Sequence, residues 1–223
     1  LNIVYNTDIY DVYFIERMFS HYENLLIKSL EQPGILIQEV EYLTEKEKHQ
    51  LLVEFNDTEV SYPKDKTIID LFEEQVSKSP NNIAVVFGSI KFTYAELNAK
   101  ANQLAHHLKE QGIQAGSNII LCFDSHLEMA IVGIIGILKS GAVYVPIDPD
   151  YPQDRINYII ENSRAKFIIT NDIDAPLFND KTVRTILLDK EDFDYNPETI
   201  KNIEKNSTNQ DSAYVIYTSG TTG

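Results

Sequence analysis

From Thr67 onward, short apolar runs alternate with amphipathic stretches, and this alternation constrains the fold more than any other feature of the chain. Runs at 118–123, 142–147, 166–170, 184–188 and 213–217 are rich in Ile and Val and have strand length. Helical periodicity separates the earlier ones. Thr93 and Glu96 form a capping box, with Phe92 and Leu97 placed as a hydrophobic staple. Behind them Leu97, Ala101, Leu104, Ala105 and Leu108 make one stripe, and Gly112 stands where a C′ glycine belongs. Ser125 and Glu128 offer a second capping box before 129–138, a helix apolar nearly all round and so expected to be buried on several sides. Gly141 ends it. Pro152 opens another helix, with Ile156, Ile159 and Ile160 inward. Strands alternating with helices predict an α/β fold with much parallel sheet.

Upstream signals are more varied. Thr67 caps an expected helix carrying Ile68, Leu71, Phe72 and Val76 on one face, which Ser79-Pro80-Asn81-Asn82 breaks. Runs at 83–87 and 90–92 flank Gly88-Ser89, a pair suited to a type II′ hairpin. Residues 1–30 predict a short extended piece and then a helix from about Val12 to Leu30, ended by Pro33-Gly34. A charged helix is expected at 44–55, with Thr44 and Glu47 as a capping box. Residues 189–211 are polar and acidic and predict a surface excursion. No internal repeat is present.

Charge limits the partners. The net charge is -15, from 34 acidic and 19 basic residues. That disfavours nucleic acid or an anionic membrane as the main partner, although backbone amides can still build a local phosphate site. The longest apolar run, 129–138, is far below the roughly 18 residues of a membrane span. Cys122 is the single cysteine, so no intrachain disulfide can form, and a strand core position is expected for it. The five histidines and Cys122 lack metal-ligand spacing. The chain opens on Leu1-Asn2-Ile3-Val4, without an initiator Met, a basic n-region or a cleavage site, and reads as a cytoplasmic piece of something longer.

The run that carries chemistry is the last one. After the apolar 213–217 come Thr218, Ser219, Gly220, Thr221, Thr222 and Gly223. Glycines let the backbone approach a ligand and turn its amides inward, and hydroxyls add donors for phosphate oxygens. Neither a Walker loop nor a dinucleotide fingerprint is present. By composition alone such a run also suits a plain surface turn.

The whole string Ala213-Tyr214-Val215-Ile216-Tyr217-Thr218-Ser219-Gly220-Thr221-Thr222-Gly223 resembles the third core motif of adenylation domains in nonribosomal peptide synthetases, members of the adenylate-forming, AMP-binding superfamily. Phe92-Thr93-Tyr94-Ala95-Glu96-Leu97-Asn98 looks like the first core motif. The stretch from Leu138 through Lys139-Ser140-Gly141-Ala142-Val143-Tyr144-Val145-Pro146-Ile147-Asp148-Pro149 looks like the second. Asp124-Ser125-His126 departs from the family's usual Asp/Glu-Arg-Ser. Residues 5–10 and the following amphipathic helix resemble the last strand and helix of a condensation domain, although that domain's His-His-x-x-x-Asp-Gly motif is absent and His106-His107 does not supply it.

The resemblance implies a domain plan: 1–34 as the end of a condensation domain, 35–60 as linker, and 61–223 as the N-terminal part of an adenylation domain. The adenylation part would be a mixed, largely parallel sheet with helices. It further implies that the parent enzyme activates an amino acid with Mg-ATP as aminoacyl-AMP, then passes it to the phosphopantetheine of a carrier-protein domain. Thr218, Ser219, Gly220, Thr221, Thr222 and Gly223 would hold the β- and γ-phosphates. Thr93, Glu96 and Gly141 serve as caps, and Asp148 as a turn aspartate before it is a ligand. No catalytic residue and no metal ligand is expected inside the chain, since the family's lysines and substrate pocket lie beyond Gly223. The 223 residues alone are therefore expected neither to form the adenylate nor to bind ATP tightly. An acyl- or aryl-acid AMP ligase, or a non-catalytic structural fragment, are the other readings.

Overall fold

A computed structural model describes residues 2–124, 127–178, 183–188, 199–205 and 207–218. The chain forms two compact units, Leu1–Tyr62 and Pro63–Gly223.

In the first unit, α1 (Val12–Glu31) starts at Asp11, whose carboxylate accepts the Tyr13 N–H at 2.7 Å. The extended piece expected before it does not form a strand. Asn6 instead closes a turn, its carbonyl accepting from Tyr10 at 3.0 Å, and no neighbouring strand among the described residues offers a ladder. The charged helix is shorter than expected: α2 is Glu45–Leu52, followed by a 3-10 turn at Glu54–Asn56. Its capping box is the predicted one. The Glu47 carboxylate accepts from the Thr44 N–H at 2.9 Å and from its hydroxyl at 2.8 Å. It also takes His21 Nε2 at 2.8 Å and Arg17 Nε at 2.9 Å, fastening α2 to α1. These bonds, the Thr44 amide first, hold the Glu47 carboxyl down at about 2.

The second unit is the α/β body. Helix α3 (Ile68–Lys78) is capped by Thr67 with Asp70, and the hairpin follows as β1 (Ile83–Phe87) and β2 (Ile90–Thr93). Gly88 has φ +58 and Ser89 is not among the positive-φ residues, the pattern of a type II′ turn. Helix α4 (Tyr94–Glu110) carries the Thr93/Glu96 capping box, and the predicted stripe Leu97, Ala101, Leu104, Ala105, Leu108 is entirely buried. It ends in a Schellman pair, Ile113 N–H to Leu108 O and Gly112 N–H to Lys109 O. Of the inward face expected of α3, Phe72 and Val76 are half-buried as predicted, and Ile68 and Leu71 are corrected. Ile69 is buried and Phe72 packs on the core, while Ile68 and Leu71 face solvent. The short stripe allowed either phase, and contact with α4 and α5 selects this one.

Then come β3 (Asn118–Cys122), α5 (Leu127–Lys139), β4 (Val143–Ile147), α6 (Gln153–Ser163), β5 (Phe167–Thr170) and β6 (Arg184–Leu187). The four strands pair in parallel in the order β4-β3-β5-β6. Because β4 and β5 lie on opposite sides of β3, right-handed crossovers place their helices on opposite faces. The packing agrees. Ile119, Leu121 and Ile169 meet the cluster with Leu104, Val132 and Ile137 of α4 and α5, while Ile120, Cys122 and Ile168 meet Ile156, Ile159 and Ile160 of α6. A sheet covered on both faces needs continuously apolar strands, which explains why these runs do not alternate. Ser125, the expected cap of α5, lies outside the described residues.

The surface excursion expected at 189–211 is seen where it is described: residues 199–205 lie on the surface, tethered along α4. One contact there has a pH consequence. Asp70 accepts Lys205 Nζ at 2.5 Å as well as the Thr67 N–H at 2.7 Å, and these, the lysine first, lower its carboxyl to about 2. A depressed carboxyl gives stability that is present above its unfolded value near 4 and lost as pH falls through about 2. Between pH 5 and pH 3, wild-type urea midpoints should therefore fall more steeply than those of Asp70→Asn; parallel slopes would contradict the assignment.

Candidate functional site

The stretch 213–217 does not form the full strand its sequence predicts. It makes one parallel bridge, Tyr144 with Tyr214, through Ala213 O accepting from Tyr144 N–H at 3.2 Å and Val215 N–H donating to Tyr144 O at 3.0 Å. The segment lies along the outer edge of β4, and Tyr214 and Ile216 are more than half exposed. With a partner on one side and its outward side chains more than half exposed, the ladder stops after two bonds.

The bridge nevertheless fixes direction. The segment runs parallel to β4, so it delivers Thr218 to the carboxyl end of the sheet. Ligands in open α/β sheets bind at that end. Tyr217, the last residue before the loop, is pinned to α6 three ways. Its carbonyl accepts Arg155 Nη2 at 3.3 Å, its hydroxyl donates to Asn162 Oδ1 at 2.6 Å, and its ring meets Tyr158 edge-on at 6.3 Å. Arg155, Tyr158 and Asn162 fall three and four residues apart, a second stripe on α6 beside its buried isoleucines. The helical spacing that marks the isoleucines also marks this stripe, which its polar residues leave without an apolar signal in the sequence. The Arg155 guanidinium also stacks 4.4 Å from the Tyr151 ring centroid, which holds it at the loop's base.

Of the six predicted phosphate-binding residues, Thr218 is described and exposed. Ser219, Gly220, Thr221, Thr222 and Gly223 lie outside the described residues.

The neighbouring strand ends bring acidic groups. Asp148 O accepts from Tyr151 N–H and its carboxylate accepts from Asp150 N–H at 3.0 Å, so it closes a turn as expected. Asp174 accepts the Asp124 N–H at 2.9 Å. Burial, with Asp174, Asp148 and Asp124 adding to it, pushes the Cys122 thiol up to about 12, so this cysteine is an inert core residue. Among the described residues no group of three or more His, Cys, Asp or Glu is placed to hold a metal ion. No described helix is long and apolar enough to cross a membrane. A cavity of about 240 Å³ lined by Lys66, Thr67, Gly141 and residues of the 207–213 stretch opens before β4 begins, at the end of the sheet away from Thr218.

His106, which does not belong to a condensation-type motif, lies on α4 and meets Lys201 O at 3.2 Å. Gly141, at φ +83, ends α5 with Ala142 N–H bonded to Ile137 O, the structural role expected of it.

Residues 72–223 match the family of AMP-binding enzymes. Over 98% of its length the chain is 42% identical to gramicidin S synthase 2 of Brevibacillus brevis, of which it spans 5%. Over 94% of its length it is 47% identical to tyrocidine synthase 2 of Brevibacillus parabrevis, of which it spans 6%. Among solved structures, the nonribosomal peptide synthetase FmoA3 superposes on 92% of the chain with a TM-score of 0.68 at 25% identity, the match covering 22% of that protein. VinN, solved with 3-methylaspartate, shares the fold at a TM-score of 0.64 and 21% identity, over 71% of this chain and 45% of VinN.

Proposed function

This chain belongs to the AMP-binding enzyme family, and from that premise we propose that it is the N-terminal part of an amino-acid adenylation domain in a nonribosomal peptide synthetase. The carrying observation is the parallel bridge that delivers Thr218 to the carboxyl end of the sheet, with the Ser/Thr/Gly run following directly. The relatives support the choice of substrate class: they are peptide synthetases matched across nearly all of this chain. One FmoA3 structure was solved with α-methyl-L-serine-AMP and another with AMPPNP. The same resemblance favours 1–34 as the end of a condensation domain and 35–60 as its linker, although the expected strand is not formed.

In this reading an amino-acid carboxylate attacks the α-phosphorus of ATP, forming aminoacyl-AMP and releasing pyrophosphate. The acyl group then moves to the phosphopantetheine thiol of a carrier domain, in the cytoplasm. Thr218, Ser219, Thr221 and Thr222 hold the β- and γ-phosphates with hydroxyls, and Gly220 and Gly223 leave the backbone free to wrap them. The donor set suits the ligand: neutral hydroxyls and amides bind phosphate without needing net positive charge, which this acidic chain lacks. Mg²⁺ would travel with the phosphates, as it commonly does. Arg155 and Asn162 act one step back, fixing Tyr217 so that the loop starts from a rigid point.

Hydrogen bonds from such a loop act where charge develops on the leaving pyrophosphate. In a polypeptide carrying this chain together with the rest of an adenylation domain, Ser219→Ala or Thr222→Ala should lower kcat/KM for ATP about 10- to 100-fold, about 1.4–2.7 kcal/mol. Amino-acid-dependent ATP–pyrophosphate exchange measures this. The 223 residues alone should give no exchange. Unchanged kinetics in both variants would remove the phosphate role from the loop.

A further inference from the structure

Residues 199–205 have no helix or strand of their own, yet they are held by a ladder of side chains from one face of α4. Asn102 Nδ2 donates to Ile200 O at 2.7 Å, His106 meets Lys201 O at 3.2 Å, and Lys109 Nζ donates to Glu204 O at 3.0 Å. With Asn98 these residues are spaced four, four and three apart, so they form a single stripe along the helix. The ladder converges on one atom. Asn202 Oδ1 accepts Asn98 Nδ2 at 3.0 Å, Asn102 Nδ2 at 3.0 Å and Lys139 Nζ at 3.4 Å. Lys139 reaches it from α5, with its side chain 1% exposed and ion-paired with Glu73 of α3. One amide oxygen thus gathers donors from two helices, next to a buried charge. At the end of the strap, Lys205 is bonded to Asp70.

The chain leaving this strap leads to the phosphate loop. A turn follows in which the Asp211 carboxylate accepts the Thr208 N–H at 2.7 Å and its hydroxyl at 3.0 Å, then comes the bridge to Tyr144. We propose that Asn202 is a latch holding the 199–205 strap on α4 and α5, and that Asn202 and Lys139 are positioning residues for the run 207–218. The functional half of this inference rests on the adenylation reading above; the latch itself does not.

Amide hydrogen exchange on the full chain tests the latch. In Asn202→Ala, the hydrogen-bonded amides of Thr208, Asp211 and Val215 should exchange at least about 10-fold faster, with β3 and β5 unchanged. Asn202→Asp keeps an oxygen for the same three donors and should hold protection within about 3-fold of wild type. In the longer polypeptide, Asn202→Ala should raise KM for ATP about 5-fold while KM for the amino acid and kcat stay within about 2-fold, and Asn202→Asp should restore it. Unchanged exchange in Asn202→Ala overturns the latch. Lost protection with an unmoved KM for ATP overturns the positioning role. If wild type shows no amino-acid-dependent activity at all, the adenylation reading falls, and the exchange comparison still decides the latch.

Discussion

Gly136→Val should destabilise the α/β unit by about 3 kcal/mol, and Gly136→Ala by about 2 kcal/mol, while Gly133→Ala should be close to neutral. Both glycines lie inside α5, where alanine is ordinarily favoured by about 1 kcal/mol. The difference is in what a new methyl group meets. At Gly136 it would stand 2.6 Å from Leu104 Cδ2 and 2.9 Å from both Leu104 Cβ and Cγ. Cβ is fixed to the α4 backbone, so a rotamer change cannot relieve the contact and the two helices must separate. Leu104 is fully buried within the core cluster that joins α4 and α5, which leaves little room for that movement. At Gly133 the clash at 2.6 Å is with Leu121 Cδ1, the far end of a flexible side chain, and the next atoms are at 3.8 and 3.9 Å. Urea unfolding of the three variants measures the order. A Gly136→Ala protein at least as stable as wild type would contradict the close crossing of α4 and α5.

The second large effect concerns Lys139, and it is asymmetric. Its ammonium is ion-paired with Glu73 and lies 5.9 Å from the Phe72 ring centroid. The lysine side chain is 1% exposed and the glutamate 27%. Removing the glutamate strands a charge that cannot reach water, so Glu73→Ala should cost about 3 kcal/mol. Removing the lysine leaves a carboxylate that can turn to solvent, and Lys139→Met fills the space with an apolar chain, so its cost should be about 1 kcal/mol. The sign of the pH dependence follows from burial, which lowers the Lys139 pKa while Glu73 opposes it. Between a depressed folded pKa and the unfolded value near 10.4, the unfolded state binds more protons, and stability rises with pH. Losing Glu73 removes the opposing influence and widens that window. The deficit of Glu73→Ala relative to wild type should therefore shrink between pH 7 and pH 9.5. A larger cost for Lys139→Met than for Glu73→Ala would contradict the burial argument.

Signals that are local in the sequence correspond closely to the structure. The Thr93/Glu96 and Thr44/Glu47 boxes, the glycines at 112 and 141, and the Gly88-Ser89 turn each depend on residues a few positions apart, so their chemistry is visible without the fold. The Leu97 to Leu108 stripe extends over three turns, which leaves one inward phase. The α3 stripe is shorter, and its phase is set by neighbours the sequence does not show: Ile69 turns inward where Ile68 and Leu71 are expected. The 213–217 run has strand composition, but strand formation depends on partners, and β4 supplies one edge. The strap on α4 is illegible for a related reason. Asn98, Asn102, His106 and Lys109 look like an ordinary polar helix face, and their partners are about a hundred residues away. For the candidate site, the residue types are plain and the geometry is not. Nothing in the string Tyr217-Thr218 discloses that Arg155 and Asn162 anchor its first residue.

Amino-acid-dependent ATP–pyrophosphate exchange tests the central claim most directly. It would be run across the proteinogenic amino acids and a set of fatty and aryl acids, with a polypeptide carrying this chain and its complete adenylation domain. Exchange with one or a few amino acids, and none with acids lacking the amino group, is the predicted result. Exchange with fatty or aryl acids alone, or none with any amino acid, would contradict it.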